Sequence, residues 1–183
     1  MRDDAELPRG MAQMETPEVH VHFDGACQPP TGPGIAAYGF TVEGPGLDLE
    51  ESGLATPPYS ERSTNNVAEY AGAIAALEWL LRNEYRGRVI VYGDSELVIR
   101  QMKGEYEVRA DHLKAYHHRL SQLASQFAAV EWTWVPREQN TRADRLSKEA
   151  ILEAAPAARR QRAARPPIDH ESRSESDDAD ETG

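Results

Sequence analysis

Residues 19–24 read Val19-His20-Val21-His22-Phe23-Asp24, in which apolar and polar side chains alternate and a carboxylate stands at the end. An alternation with a period of two is typical of a half-buried β-strand. Residues 88–94, Arg88-Val89-Ile90-Val91-Tyr92-Gly93-Asp94, form a second strand-like segment that also ends in a carboxylate. If both strands belong to one sheet, their carboxylates can meet at the same edge.

The rest of the chain divides into strands and helices at its glycine-rich and proline-rich turns. The predicted strands are 19–24, 35–43, 47–55, 88–94 and 130–135, and the predicted helices are 64–86, 95–102, 109–127 and 141–152. Residues 25–34 are expected to form a turn between the first two strands. Three strands linked by hairpins and two joined through helices predict an α/β fold, with a five-stranded mixed sheet flanked by helices.

The net charge of −11 is concentrated at the two ends of the chain. Residues 1–18 carry −3 and residues 166–183 carry −6, so the region between them is nearly balanced. We therefore expect an acidic flexible arm at 1–18, one folded domain at 19–153, and a disordered tail at 154–183 that is first basic and then acidic. The basic part could touch nucleic acid, although a solvated linker is the simpler interpretation.

The chain has 17 arginines and only three lysines. An acid-rich, lysine-poor composition is typical of proteins adapted to high salt, where screening tolerates self-repulsion. A GC-rich genome that favours arginine codons, together with solvated acidic ends, explains the composition equally well. Both interpretations stay open, and a halophilic source is one of them.

Composition also excludes several classes of protein. The chain has no run of about 18 apolar residues, so no membrane span is expected. Cys27 is the only cysteine, which excludes an internal disulfide and a cysteine-based zinc site. The first residues lack the apolar stretch of a secretory signal. A cytoplasmic monomer is therefore the default expectation.

Four carboxylates occupy places where elements of this fold could converge: Asp24, Glu69, Asp94 and Asp144. Each also has an ordinary explanation, as a turn residue, a surface residue, a helix cap or a partner of a helix dipole. A cluster of like charges raises the pKa of its members unless cations neutralise it. Oxygen-rich sites of this kind suit Mg²⁺ or Mn²⁺ and support phosphodiester cleavage by two metal ions.

Four motifs surround these carboxylates, in chain order. They are Phe23-Asp24-Gly25-Ala26-Cys27, Thr64-Asn65-Asn66-Val67-Ala68-Glu69, Tyr92-Gly93-Asp94-Ser95 and Asn140-Thr141-Arg142-Ala143-Asp144. Together they resemble the signature of a type 1 ribonuclease H, over about residues 19–152. The resemblance implies a ribonuclease H-like fold, and the compact pattern is similar to archaeal members of the family.

The resemblance also implies an activity. Members of this family are endonucleases that hydrolyse the RNA strand of RNA/DNA hybrids with two Mg²⁺ or Mn²⁺ ions, leaving 5′-phosphate and 3′-hydroxyl ends. Asp24 would be the shared ligand, with Glu69 and Asp94 on one ion and Asp144 on the other. Two alternatives stay open: a broader nuclease of the same fold that also cuts double-stranded RNA, and a non-catalytic nucleic-acid-binding module.

The resemblance places further residues next to the hybrid. Small polar groups and backbone amides can read the 2′-hydroxyl that distinguishes RNA from DNA. The substrate-binding residues implied in this way are Gly25, Ala26, Cys27, Thr64, Asn65, Asn66, Ser95 and Asn140.

Two departures from the best-known bacterial pattern change these expectations. No lysine-rich protrusion lies between the fourth and fifth strands, so arginines of the last helix or the tail would have to grip the duplex. The loop before Asp144 has no histidine, and Arg137 stands there instead as an auxiliary catalytic residue.

His20 and His22 are expected on a packed sheet face rather than on metal. Trp79, Trp132 and Trp134 are expected in the core or on a sheet face rather than as base-stacking platforms.

Overall fold

The computed structural model describes residues 17–30 and 33–163. Its strands are β1 Val19–Gln28, β2 Ile35–Gly44, β3 Leu47–Leu54, β4 Arg88–Gly93 and β5 Ala129–Trp134. Its helices are α1 Asn65–Arg82, α2 Glu96–Met102, α3 Asp111–Ala124 and α4 Thr141–Ala163, with a 3-10 turn at Arg137–Gln139 before α4.

The five strands form one mixed sheet in the order β3-β2-β1-β4-β5. The pairs β1–β2 and β2–β3 are antiparallel, whereas β1–β4 and β4–β5 are parallel. The predicted fold class is therefore confirmed. Phe23 pairs with Gly93, which places Asp24 and Asp94 side by side just beyond the last paired residues of β1 and β4.

The main hydrophobic core lies between the sheet and helices α1 and α3. Apolar residues of β1 and β4, such as Phe23 and Val91, pack in one cluster with Leu77 of α1 and Leu120 of α3. Burying each such side chain contributes about 1.5–3 kcal/mol, which fixes α1 on this face. Helix α4 covers β1 and β2 from the opposite face through a smaller cluster that includes Ile35 and Ile151.

Two glycines let both helices approach the strand that carries Asp24. A Cβ atom at Gly25 would lie 2.1 Å from the Glu69 backbone nitrogen in α1. A Cβ atom at Gly39, which pairs with Asp24 across β1–β2, would lie 2.6 Å from the Ala143 carbonyl oxygen in α4. Neither helix could sit this close to the sheet if a larger residue occupied these positions.

Strand β1 is longer than its sequence pattern predicts. Gly25, Ala26 and Cys27 were expected in a turn, but they continue β1 and pair with β2 as far as Gln28. The turn prediction is wrong for these residues. Gly25 suggested a turn, but it is a glycine because α1 packs closely against it.

Helix α4 is also longer than predicted. It was expected to end at residue 152, yet it continues to Ala163 and includes Pro156, so the prediction of a disordered tail is wrong for residues 154–163. Ala158 is buried in the α4–sheet cluster, and the Arg162 guanidinium lies 5.0 Å from the centre of the Tyr59 ring. These tertiary contacts stabilise a segment whose composition alone favours a linker.

Other element ends shift by a few residues. Helix α1 ends at Arg82 rather than at residue 86, and α3 spans Asp111–Ala124 rather than 109–127. The predicted arm up to residue 16 and the predicted tail after residue 163 lie outside the described residues. No helix in the described part of the chain is long and apolar enough to cross a membrane.

Candidate metal centre

Three carboxylates converge at the edge of the sheet. Asp24 on β1, Glu69 on α1 and Asp94 just after β4 each offer one oxygen atom, and these oxygens all lie within 4.8 Å of one another. Asp24 is only 2% exposed and Glu69 is also buried, while Asp94 is half-buried. The β1–β4 register and the close approach of α1 over Gly25 together produce this arrangement.

The start of α1 fixes the position of Glu69. The Thr64 side chain caps the helix by accepting a hydrogen bond from the Val67 amide at 3.3 Å. The Asn65 side-chain amide donates to Glu69 Oε1 at 3.5 Å. Glu69 Oε2 is buried and has no hydrogen-bond partner among the described residues. A buried carboxylate oxygen without a donor is costly unless a cation neutralises it.

Burial and mutual repulsion perturb this cluster. The pKa of Asp24 is raised to about 7, chiefly by burial; the neighbouring Asp94 and Asp144 carboxylates add to this shift, and a hydrogen bond from Ser147 opposes it. Burial likewise raises the pKa of Glu69 well above its usual range, with Asp24 and Asp94 adding to the effect. A site that holds protons so strongly at neutral pH also has a strong electrostatic preference for a cation.

Asp144 stands beside this trio and has its own cationic partners. It lies in the first turn of α4, where Arg137 Nε donates to its Oδ1 at 2.9 Å and Lys148 Nζ donates to its Oδ2 at 2.6 Å. Burial alone would raise the pKa of Asp144, but the hydrogen bonds from Lys148 and Arg137 hold it below its usual value. Asp144 is therefore close to the three convergent carboxylates, but it is already neutralised by this chain's own side chains.

Ser147 links the two parts of the site, and the sequence reasoning missed it. Its hydroxyl donates to the Asp24 carboxylate and lies 3.0 Å from the Asp144 carbonyl oxygen. The residue is fully buried under the sheet. Its position three residues after Asp144, on the same face of α4, is the signal that could have identified it.

Asn140 lies behind the carboxylates rather than at the surface. Its side chain is 1% exposed, and its Nδ2 donates to Asp94 Oδ1 and to the Phe23 carbonyl oxygen, each at 2.8 Å. A direct contact with substrate, which the resemblance implies, does not fit this burial. The geometry instead makes Asn140 a bridge that orients Asp94 relative to β1.

The other residues predicted to contact substrate divide into buried and accessible groups. Gly25 is buried against α1, and the Cys27 thiol is buried and donates to the Ser63 carbonyl oxygen at 3.2 Å. Thr64 and Ser95 use their hydroxyls as helix caps. Accessible side chains remain at Ala26, Asn65 and Asn66. The predicted set therefore surrounds the carboxylates, but only part of it can reach a ligand through side chains.

His20 and His22 form a stacked layer on the face of β1 that also carries Asp24. The His22 and Tyr92 rings stack with centroids 4.7 Å apart, and His20 also stacks on Tyr92 with centroids 5.8 Å apart. Burial lowers the pKa of His22, and its proximity to the Asn140 side chain opposes that shift. Within the residues that the structure describes, the group that could hold a metal contains no histidine.

A groove of about 390 Å³ lies between α2 and the end of β5. Arg100 and Lys103 of α2 and Trp134 of β5 line it, and the Trp134 ring nitrogen donates to the Asp94 carbonyl oxygen at 3.1 Å. Trp134 lies in β5 but is 51% exposed, so it belongs to the sheet and not to the core, the two places expected for it. Trp79 and Trp132 are partly buried against the core, as predicted.

The residues at the centre fit a hard divalent cation. Asp24, Glu69 and Asp94 offer only oxygen atoms, which Mg²⁺ and Mn²⁺ prefer, and one of the Glu69 oxygens is buried without a donor.

Comparisons with known proteins agree with this geometry. Residues 52–150 match the family described as "Reverse transcriptase-like". The chain is 37% identical over 143 residues to the bifunctional protein Rv2228c of Mycobacterium tuberculosis, covering 77% of this chain and 37% of that protein. It is also 37% identical over 137 residues to ribonuclease HI of Halobacterium salinarum, covering 74% of this chain and 65% of that enzyme. The chain thus spans less than two thirds of the length of these curated relatives.

Solved structures extend the likeness. The N-terminal RNase H domain of Rv2228c is 35% identical, with a TM-score of 0.69 over 78% of this chain and 99% of that one. RNase H1 of Halobacterium salinarum is 34% identical, with a TM-score of 0.65 over 75% of this chain and 99% of that one. LC11-RNase H1, solved in complex with an RNA/DNA hybrid, is 33% identical with a TM-score of 0.65 over the same shares of the two chains.

Proposed function

Because this chain belongs to the ribonuclease H family, we propose that it is a metal-dependent endonuclease that hydrolyses the RNA strand of RNA/DNA hybrids. The observation that carries the proposal is the convergence of Asp24, Glu69 and Asp94, of which Asp24 and Glu69 are buried to a degree that isolated carboxylates do not tolerate. The similarity to a relative solved with an RNA/DNA hybrid supports the choice of substrate.

The proposed centre would hold two divalent cations, Mg²⁺ or Mn²⁺, on Asp24, Glu69, Asp94 and Asp144. As the family resemblance implies, Asp24 would serve both ions, Glu69 and Asp94 one of them, and Asp144 the other. When bound, such ions would lower the pKa of an attacking water and stabilise the leaving oxygen, so that cleavage would give 5′-phosphate and 3′-hydroxyl ends. The all-oxygen donor set and the unpartnered Glu69 oxygen support this assignment.

The chain's own residues prepare the site. Ser147 donates to Asp24, and Asn140 donates to Asp94, so two of the carboxylates are held in fixed orientations. Preorganised groups of this kind avoid reorganisation during the reaction. Arg137 is exposed at the rim and bound to Asp144. We propose that it exchanges this partner for a phosphate of the substrate, because guanidinium binds phosphate bidentately.

Recognition of the RNA strand is proposed at the end of β1 and the start of α1. Strand β1 pairs with β4 only as far as Phe23, so the backbone edge of residues 24–28 that faces β4 has no strand partner among the described residues. Backbone groups of this edge, together with the accessible Asn65 and Asn66 side chains, can hydrogen-bond to 2′-hydroxyls.

The groove between α2 and Trp134 is the proposed grip on the duplex in place of a lysine-rich protrusion. It combines an exposed indole with Arg100 and Lys103, and it is joined to Asp94 through the Trp134 ring nitrogen. Glu96 and Glu105 also line the groove: Arg100 pairs with both of them, and Lys103 pairs with Glu105. Exposed pairs of this kind are weak, so a phosphate backbone can compete for the cations.

Cleavage assays test this function directly. The chain is given RNA/DNA hybrid, double-stranded RNA and double-stranded DNA, each with Mg²⁺ or Mn²⁺, over a series of salt concentrations. The proposal expects cutting of the hybrid in its RNA strand. Equal cutting of double-stranded RNA would favour the broader nuclease, and binding without cutting would favour the non-catalytic module.

A further inference from the structure

A small cavity lies on the opposite side of Asn140 from the carboxylates. It measures about 120 Å³, lies between the start of α4 and strands β1 and β2, and is partly open to solvent, because some of its lining residues are exposed. His22, Thr41 and Asn140 line it, together with the ion pair between Glu43 and Arg142. The ordinary ribonuclease H site described above makes no use of this cavity.

Two buried polar atoms at this cavity have no hydrogen-bond partner among the described residues. They are Asn140 Oδ1 and Thr41 Oγ1, and their residues are 1% and 0% exposed. His22 and Thr41 face each other as a cross-strand pair of β1 and β2, so both side chains lie on the same face of the sheet. Three hydrogen-bonding groups from three different elements therefore surround one polar cavity.

The orientation of the Asn140 amide determines what it can do for Asp94. In the observed orientation both hydrogens of Nδ2 serve the metal centre, one on Asp94 Oδ1 and one on the Phe23 carbonyl oxygen. A flipped amide would present its oxygen to two acceptors, which is repulsive. The amide oxygen consequently faces away from the centre, where it needs a donor of its own.

We propose that ordered water in this cavity joins Asn140 Oδ1 to the Thr41 hydroxyl while the His22 imidazole contacts the Asn140 side chain directly, and that Thr41 and His22 are thereby positioning residues for Asp94. A bound water molecule needs two to four polar partners and about 30 Å³, and the cavity offers both. The relay from Thr41 through water, and from His22 by direct contact, to Asn140 and Asp94 fixes a metal ligand from outside the metal centre.

This inference rests on the proposed role of Asp94 as a metal ligand, so its test must have a readout other than cleavage. The first measurement uses the unchanged protein. Nuclear magnetic resonance should show cross-relaxation between the Asn140 side-chain amide protons and a bound water molecule. The absence of that cross-relaxation would overturn the relay.

The second measurement compares variants for Mn²⁺ binding by calorimetry without nucleic acid. Thr41→Val removes the hydroxyl at nearly constant volume, and His22→Phe keeps the ring stacked on Tyr92 while removing its nitrogens. Each is expected to weaken Mn²⁺ binding about tenfold, the lower end of the effect of outer-shell partners. Thr41→Ser should restore the parent affinity, and the double variant should lose less than the sum of the two single losses.

Tyr92→Phe is the matched control, because it keeps the aromatic stack and removes only a hydroxyl that contacts His20. Parent-like Mn²⁺ affinity in folded Thr41→Val and His22→Phe would overturn the proposal, as would an equal loss in Tyr92→Phe. If nuclear magnetic resonance shows the bound water at Asn140 in a protein that binds Mn²⁺ but cleaves no hybrid, the proposed function fails while this inference stands.

Discussion

Replacing Asp24 by asparagine should make the metal-free protein more stable at alkaline pH. Burial raises the pKa of Asp24 to about 7, whereas an unfolded chain has the ordinary value of 3.8. The folded state therefore binds this proton more tightly than the unfolded state, so folding stability falls as pH rises from about 4 to about 7. Asp24→Asn removes the titrating group and keeps an oxygen that can accept from Ser147.

The gain in stability expected for Asp24→Asn follows from the difference between the folded and unfolded pKa of Asp24. A displacement of about 3 pKa units, at 1.36 kcal/mol each, amounts to about 4 kcal/mol above pH 7. At pH 5 the parent keeps its proton in the folded state, and the advantage of the variant falls to about 1.5–2 kcal/mol. For a domain of this size about 4 kcal/mol corresponds to a rise in Tm of roughly 10 °C.

Urea unfolding in the presence of a chelator measures this difference at about pH 8 and about pH 5. Glu138→Gln, an exposed carboxylate on the turn before α4, is the control and should change stability little at either pH. Added Mg²⁺ should stabilise the parent and leave Asp24→Asn unaffected. The reasoning is refuted if Asp24→Asn is no more stable than the parent at alkaline pH, or if its advantage does not shrink at acidic pH.

Three further predictions concern the surroundings of the site. Gly39→Ala should destabilise the protein in urea by about 3 kcal/mol, because its Cβ would press into α4, and parent-like stability would contradict that close packing. Lys148→Met should raise the pKa of Asp144, because it removes a hydrogen bond to that carboxylate. A carbon-detected NMR titration measures this pKa, and an unchanged value would show that Arg137 alone keeps it low. Thr64→Ala should lower the free energy of unfolding by about 1 kcal/mol, because it removes the side-chain cap of α1. Thr64→Ser keeps a capping hydroxyl and should leave stability unchanged, so equal losses in both variants would argue against capping.

The parts of this molecule that follow local rules could be predicted from the sequence. The alternation in residues 19–24 and the similar run in 88–94 indicate two strands, and parallel pairing is enough to bring Asp24 and Asp94 together. Helical periodicity with a capping threonine likewise places Glu69 one turn into α1. These features depend on neighbours in sequence, which is why periodicity detects them.

The parts that depend on long-range packing could not be predicted in this way. By local sequence rules Gly25 predicts a turn, but in the structure it is the residue at which β1 and α1 approach each other closely. The continuation of α4 past Pro156 depends on Ala158 packing against the sheet. The burial of Asn140, which turns an expected substrate contact into a bridge behind Asp94, appears only when β1, β4 and α4 are assembled.

Cleavage of an RNA/DNA hybrid by matched parent and Asp24→Asn proteins tests the central claim most directly. In Mg²⁺ or Mn²⁺ the parent should cut the RNA strand and leave 5′-phosphate ends, and a chelator should abolish the reaction. Asp24→Asn should be folded, more stable without metal, and slower by a factor of about 100 or more, as expected when a preorganised charged group is lost from an active site. Cleavage by Asp24→Asn at the parent's rate would contradict the assignment of these carboxylates as the metal-binding catalytic centre.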